Sequence, residues 1–249
     1  MTRVTIRLML PTPFERVGDH IGIALPGGRA LFTTRRGGVS EGAYASLNLG
    51  RWTDDDPDAV DRNRQIVADA IGLPLDAVVQ GRQVHGARVE RRATAGGAPS
   101  EADGQATATP GPAALVLTAD CLPIALIAPG AVAMVHAGWR GLAAGVVEEG
   151  VRAIRELAGD TPVQAAIGPG AGGCCYEVGP EVHAAFGRSA EAAAPIDLKA
   201  IARERLTAAG VAQVHDVGIC TLCAESGAFF SHRRDGGVTG RQAGIAWRS

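Results

Sequence analysis

A chain of 249 residues is long enough for one domain with an ample core, and no stretch of it reads as a linker. Its net charge of −2 withdraws the simplest argument for nucleic acid as a partner, and no apolar run approaches membrane-spanning length. Five cysteines, an odd number, accompany an apolar run at 8–10 that Pro11 and Pro13 cut too short for a signal segment, so free thiols in a reducing cytoplasm are expected rather than a disulfide framework.

The first informative segment in chain order is the loop around Arg35, between Thr34 and Gly37-Gly38. There a guanidinium can meet an anion, although from the residues alone a solvated surface arginine is the stronger reading. Asp56-Pro57 is an N-cap and first-turn pair, the apolar residues Val60, Ile66, Val67, Ala70 and Ile71 fall near one helical face, and Gly72 stops the helix. A short apolar run, Ala77 to Val79, precedes Gln83-Val84-His85-Gly86. The Ala-, Gly-, Pro- and Thr-rich stretch 94–112 reads as a loop or a weak strand pair crossing the surface. Leu115–Leu117, Ile124–Ala128 and Ala131–Val135 read as buried strands, the last two joined by a Pro129-Gly130 turn, which leaves Cys121 and His136 at strand edges.

A helix is expected over 142–158, with Leu142, Val146, Ile154 and Leu157 on one side and Gly159 at its stop. It would begin directly after His136-Ala137-Gly138-Trp139-Arg140-Gly141, so its first N–H groups offer a place for phosphate, or form a routine strand-to-helix turn. A last helix opens at Asp197, closes at Gly210 and carries the single lysine, Lys199. One lysine excludes a Walker phosphate loop; any phosphate or carboxylate would be held by arginine, a planar bidentate donor. Strands and helices mix without a regular repeat, which predicts an α+β fold with mixed sheets.

Three residues combine metal-ligand chemistry with placement at the ends of apolar runs: His85, Cys121 and His136. Two imidazoles and a thiolate fill the three protein positions of a catalytic zinc site and leave a fourth for water or substrate. A Cys121/His136 nucleophilic pair and an inert buried thiol stay open beside that reading. Met134, two residues before His136, keeps a single copper with an axial methionine conceivable, whereas no His-x-His pair supports a multicopper cluster. Cys174-Cys175 and Cys220-Thr221-Leu222-Cys223 invite a four-cysteine site, but adjacent cysteines take two corners of a tetrahedron with difficulty, so buried structural thiols are expected. Asp120 and Glu177 are the nearest carboxylates for proton transfer, with Asp120 expected to point away from Cys121 along a regular strand. His20, His183, His215 and His232 lack a partner pattern; His183 and His215 read as ordinary packed or half-exposed residues, and His232 as a pocket wall rather than a ligand.

The ordered motifs Phe32-Thr33-Thr34-Arg35-Arg36-Gly37-Gly38, Ser46-Leu47-Asn48-Leu49-Gly50, Gln83-Val84-His85-Gly86, Ala102-Asp103-Gly104, Thr118-Ala119-Asp120-Cys121, His136-Ala137-Gly138-Trp139-Arg140-Gly141, Cys174-Cys175-Tyr176-Glu177-Val178-Gly179 and Phe229-Phe230-Ser231-His232-Arg233-Arg234-Asp235 resemble the bacterial laccase-domain family, once called multicopper polyphenol oxidases. The resemblance implies a single catalytic domain over 1–249 with layered sheets flanked by helices. It implies a zinc-dependent purine nucleoside phosphorylase acting on adenosine, inosine and methylthioadenosine, with adenosine deaminase activity in the same site. The zinc ligands fall on His85, Cys121 and His136; Arg35, Asn48 and Arg140 become candidate contacts to nucleoside or phosphate. Rival readings are a peptidoglycan-precursor editing hydrolase using Cys121 and His136, a copper-dependent phenol oxidase, and a metal-stabilised binding protein without turnover. Nothing in the sequence speaks to oligomeric state.

Overall fold

The run 122–128 is buried at every position because its two faces serve two different cores. Leu122, Ile124, Leu126 and Ala128 pack with helices, whereas Ala125 and Ile127 pack against another sheet, the alternation that a strand imposes. The computed structural model describes residues 9–96, 98–224 and 227–248; the apolar run at 8–10 begins outside them.

The strands are β1 (Glu15–Val17), β2 (His20–Leu25), β3 (Gly28–Phe32), β4 (Val78–Gln80), β5 (Val89–Arg91), β6 (Gly104–Thr107), β7 (Ala113–Thr118), β8 (Leu122–Ala128), β9 (Ala131–Ala137), β10 (Gln164–Ile167), β11 (Glu177–Val178), β12 (Ala194–Pro195), β13 (Gln213–Asp216) and β14 (Gln242–Trp247). The helices are α1 (Pro57–Ile71), α2 (Trp139–Ala144), α3 (Val146–Ala158), α4 (Pro180–Ala184) and α5 (Leu198–Ala208). One sheet has the order β1-β2-β3-β14-β7-β4, a second β13-β10-β8-β9-β6-β5, and β11 pairs with β12. Most neighbours are antiparallel, but β4–β7, β5–β6 and β10–β13 are parallel, so both large sheets are mixed.

The large sheets stack face to face. Ile21, Ile23, Phe32, Val116 and Ala246 from the first meet Ala125, Ile127, Val132, Met134 and Ala166 from the second. On the outer face of the first sheet, Leu31, Leu115 and Ile245 pack with Val67 of α1 and with Leu47 and Leu49. On the outer face of the second, Ile124, Leu126 and Val135 pack with Val147, Val151 and Ile154 of α3 and Ile201 and Leu206 of α5. The result is helix, sheet, sheet, helix: the expected α+β fold with mixed sheets layered between helices. Burying each such side chain stabilises the fold by roughly 1.5–3 kcal/mol.

Local signals place the helices as read. The Asp56 side chain accepts from Asp58 N, Pro57 starts α1 and Gly72 ends it at φ 70°. The Asp197 side chain accepts from Lys199 N and Ala200 N to open α5; Lys199 turns inward and donates to the Ile219 carbonyl at 2.8 Å. Two readings are corrected. The helix expected over 142–158 starts earlier and is broken, because Gly145 adopts φ 91° and its N–H closes α2 onto Gly141 and Leu142 before α3 begins. The stretch 94–112, expected at the surface, contains β6, buried at all four positions between β5 and β9, because its small residues let strands approach closely. Among the described residues, no helix is long and apolar enough to cross a membrane.

Candidate active site

The site forms where the chain passes from one large sheet to the other. The connection from β7 to β8 crosses at Ala119-Asp120-Cys121, and the connection from β4 to β5 crosses through His85. Antiparallel pairing of β8 with β9 sets Leu122 opposite Ala137 and Pro123 opposite His136, so Cys121 emerges beside the end of β9. One ligand atom from each of His85, Cys121 and His136 lies within 4.8 Å of the others. The imidazole rings of the two histidines meet edge to face, 4.9 Å between centroids.

Asp103 holds this trio. It precedes β6, which pairs with β9, and its backbone carbonyl accepts from His136 N at 2.7 Å while its Oδ1 lies 2.8 Å from His136 Nδ1. The same carboxylate accepts from His85 N at 2.9 Å, Gly86 N at 2.8 Å and Val84 N at 3.1 Å. One buried side chain therefore orients one histidine and shapes the loop that presents the other. It also offsets strain, since His85 has φ 59°, a left-handed conformation that costs a non-glycine residue roughly 1–3 kcal/mol. Burial alone would raise the Asp103 carboxyl, but the His136 imidazole and the N–H groups of Gly86 and Val84 outweigh it and hold the group below its ordinary range.

The donor set and its surroundings fit a metal. With Nδ1 engaged by Asp103, His136 keeps Nε2 for ligation, the carboxylate–histidine arrangement that fixes a ligating imidazole. Burial raises the Cys121 thiol, yet the facing His136 and His85 bring it down to about 6, while burial of His136 is outweighed by Cys121 and Asp103, which raise it to about 9. The thiolate is thus formed at the expense of a protonated His136, which releases that proton on ligating an ion. Space is shaped for it as well. A Cβ on Gly138 would stand 2.9 Å from Cys121 Sγ and 3.2 Å from His85 Cδ2, so only glycine fits behind the two ligands.

These residues form one wall of a cleft of about 450 Å³, in the range that encloses a small organic molecule. Trp52, Trp139 and Tyr176 supply aromatic surface; Arg140, Arg233 and Arg241 supply positive charge. Arg140 lies over the Trp139 ring at 4.4 Å and Arg233 over Tyr176 at 5.3 Å. Thr118 Oγ1 is buried there without a hydrogen-bond partner, and His232 lines the cleft. Burial and the nearby Cys121 raise the Tyr176 phenol above its ordinary value, which keeps it a proton donor.

Of the three expected substrate contacts, only Arg140 reaches the cleft. Arg35 donates to the Ala45 carbonyl at 2.6 Å and stacks on Phe230 at 4.4 Å, so its guanidinium anchors the Gly-Gly loop instead of lining the cleft. Asn48 is fully buried: its Oδ1 accepts from Gly50 N and Arg241 N, and its Nδ2 donates to Thr53 and Asp55. It positions Arg241 rather than meeting a ligand. Asp120 departs from strand geometry at φ 88°, and its carboxylate accepts from the Thr221 hydroxyl at 2.6 Å and Arg233 N at 2.8 Å. Glu177 is exposed on β11. Neither carboxylate is placed as a free base. Met134 is packed inside the sandwich, where a Cβ on Gly244 would stand 2.9 Å from its sulfur. Sequence reasoning missed Asp103 as the second support and set aside Arg233 and Arg241; the only signal for Asp103 was its place in a short motif.

The likeness to known proteins extends over most of the chain. A family model described as multi-copper polyphenol oxidoreductase laccase matches residues 29–249. A Shigella flexneri protein named purine nucleoside phosphorylase YfiH is 41% identical over 230 residues, covering 88% of this chain and 93% of the relative. A Streptomyces coelicolor protein, also named a purine nucleoside phosphorylase, is 41% identical over 229 residues, covering 87% and 93%. The crystal structure of YlmD from Geobacillus stearothermophilus superposes with a TM-score of 0.89 at 33% identity, over 96% of this chain and 99% of that one.

Proposed function

As the chain belongs to the multi-copper polyphenol oxidoreductase laccase family, and relatives about two-fifths identical to it are named purine nucleoside phosphorylases, we propose that it is a metal-dependent purine nucleoside phosphorylase acting on adenosine, inosine and methylthioadenosine, with adenosine deamination as a side reaction. The observation that carries this reading is the convergence of His85, Cys121 and His136 in a cleft that also holds three arginines and three aromatic rings. Zinc is the ion the donor set suits best. Bound there, it supplies a Lewis acid in an open position and, for deamination, an activated water.

The chain's own residues account for the rest. Arg140, Arg233 and Arg241 grip phosphate and present one of its oxygens to the anomeric carbon of the ribose. That oxygen forms the new bond to C1′ as the bond to the purine nitrogen breaks, and the purine leaves with the electron pair and takes up a proton. Tyr176, on the cleft wall and kept protonated by its raised pKa, is the donor assigned to that proton in this reading. Trp52 and Trp139 flank the base. The lowered Cys121 thiol beside His136 also suits a nucleophilic hydrolase, so the assay must separate the two.

Chromatography of adenosine with purified protein, with and without inorganic phosphate, makes that separation. Adenine should form only with phosphate, with a minor phosphate-independent stream of inosine and no oxygen uptake on phenols. Turnover confined to a muropeptide precursor would establish the editing hydrolase instead. Phenol oxidation would establish the copper oxidase, and inactivity on every substrate the binding protein.

A further inference from the structure

Four of the five cysteines lie outside the ligand trio, and they come together. Cys174 and Cys175 sit in a tight turn in which Cys175 N and Tyr176 N both donate to the Gly172 carbonyl at 3.0 Å. Cys220 and Cys223 belong to the segment after β13, and a parallel bridge between Gly170 and Cys220 lays the two segments side by side. All four sulfur atoms fall within 4.8 Å of one another, and those of Cys174 and Cys223 are 3.6 Å apart.

Packing does not explain this cluster. Buried thiols were expected here, but Cys174 and Cys223 are exposed and Cys175 is half-buried, leaving only Cys220 inside. We propose that Cys174, Cys175, Cys220 and Cys223 form a second metal site, a closed tetrathiolate holding structural zinc. A Zn–S bond of about 2.3 Å sets tetrahedral sulfurs roughly 3.8 Å apart, so sulfurs that all lie within 4.8 Å of one another need to close in by at most about one ångström. The objection to adjacent cysteines is met by the 172–176 turn, which directs both sulfurs to the same centre as the Cys220/Cys223 pair. Gly172 completes the site: its N–H donates to Cys220 Sγ at 3.2 Å, the outer contact that supports a thiolate ligand. A Cβ there would stand 3.2 Å from Cys220 Cβ and 3.3 Å from Cys174 Sγ, so a side chain would crowd the ligands. Four protein ligands leave no open position, which makes the site structural and not catalytic.

The location gives the site a purpose. Tyr176, on the cleft wall, follows Cys175, and Thr221, whose hydroxyl binds Asp120, follows Cys220. Zinc held by the four thiols staples together the two turns that carry this side of the cleft. The inference does not depend on which reaction the cleft performs.

Zinc content per chain, measured by plasma mass spectrometry on protein purified without chelator under reducing conditions, tests it. Wild type should carry two equivalents, Cys121→Ala one, and the double variant Cys220→Ser/Cys223→Ser one. Cobalt loaded into Cys121→Ala should show the intense sulfur-to-metal absorption of a tetrathiolate, which decides the matter even if the double variant fails to fold. Zinc content that is the same in wild type and in a folded Cys220→Ser/Cys223→Ser variant would overturn the site, as would a metal-free Cys121→Ala protein. So would a mass deficit corresponding to two disulfides together with failure of the reduced protein to take up a second zinc.

Discussion

Asp103 shows how one residue can support a candidate metal site without being one of its ligating residues. It accepts three backbone N–H groups of the 84–86 loop and faces His136 Nδ1, so replacing it with asparagine removes the charge and puts a donor where acceptors are needed. Asp103→Asn should weaken zinc affinity roughly ten- to hundredfold in a chelator competition while far-ultraviolet dichroism stays native. Unchanged affinity would reduce Asp103 to a loop contact. The arginines divide by the same geometry. Arg35→Ala should cost stability of roughly 1–2 kcal/mol in denaturant unfolding, through the lost Ala45 and Phe230 contacts, and leave the KM for phosphate unchanged. Arg140→Ala or Arg241→Ala should raise that KM by roughly ten- to a hundredfold. A raised phosphate KM in Arg35→Ala at unchanged stability would return Arg35 to the cleft. His85, Cys121 and His136 were legible in the sequence because few residue types ligate metal and each follows an apolar run. Asp103 was not: a lone carboxylate in an Ala- and Gly-rich stretch looks like loop, and its role exists only once β6 pairs with β9.

At the scale of elements, the junction from β9 to α2 is the tightest part of the site. Gly138 caps α2 with extended backbone and lies against both Cys121 and His85, so Gly138→Ala should push the ligands apart. Zinc occupancy should fall in metal analysis, while the melting temperature compared between the two metal-free proteins changes only a little. A zinc-replete alanine variant would show that the trio tolerates the methyl group. This junction was half visible beforehand. The helical periodicity over 142–158 was real, but periodicity does not register a single left-handed glycine, and Gly145 divides the helix while preserving the apolar face on either side. The phosphate site expected at the start of a long helix lapses with that break, since the helix beside the trio is only six residues long. The caps of α1 and α5 were fully legible, because Asp, Pro and Gly act locally.

Across the whole molecule, two sheets sharing one interior leave the site at the crossings between them, so a metal held there would be linked to sheet packing. Dissociating the ion should lower the melting temperature, because a ligand bound only by the folded state stabilises it by mass action. Chelator-treated protein whose transition matches that of the zinc-loaded form would break the link. The α+β class was legible from the irregular mix of strands and helices, whereas the pairing of β14 with β3 and β7 was not, because no local feature near the end of the chain encodes partners so distant in sequence. The central claim is that this cleft cleaves a purine nucleoside with phosphate as the nucleophile. Phosphorus magnetic resonance of the zinc-loaded protein with adenosine and inorganic phosphate tests it most directly. Ribose 1-phosphate should appear in step with adenine and be absent from the Cys121→Ala reaction; free ribose, or inosine alone with the phosphate signal unchanged, would contradict it.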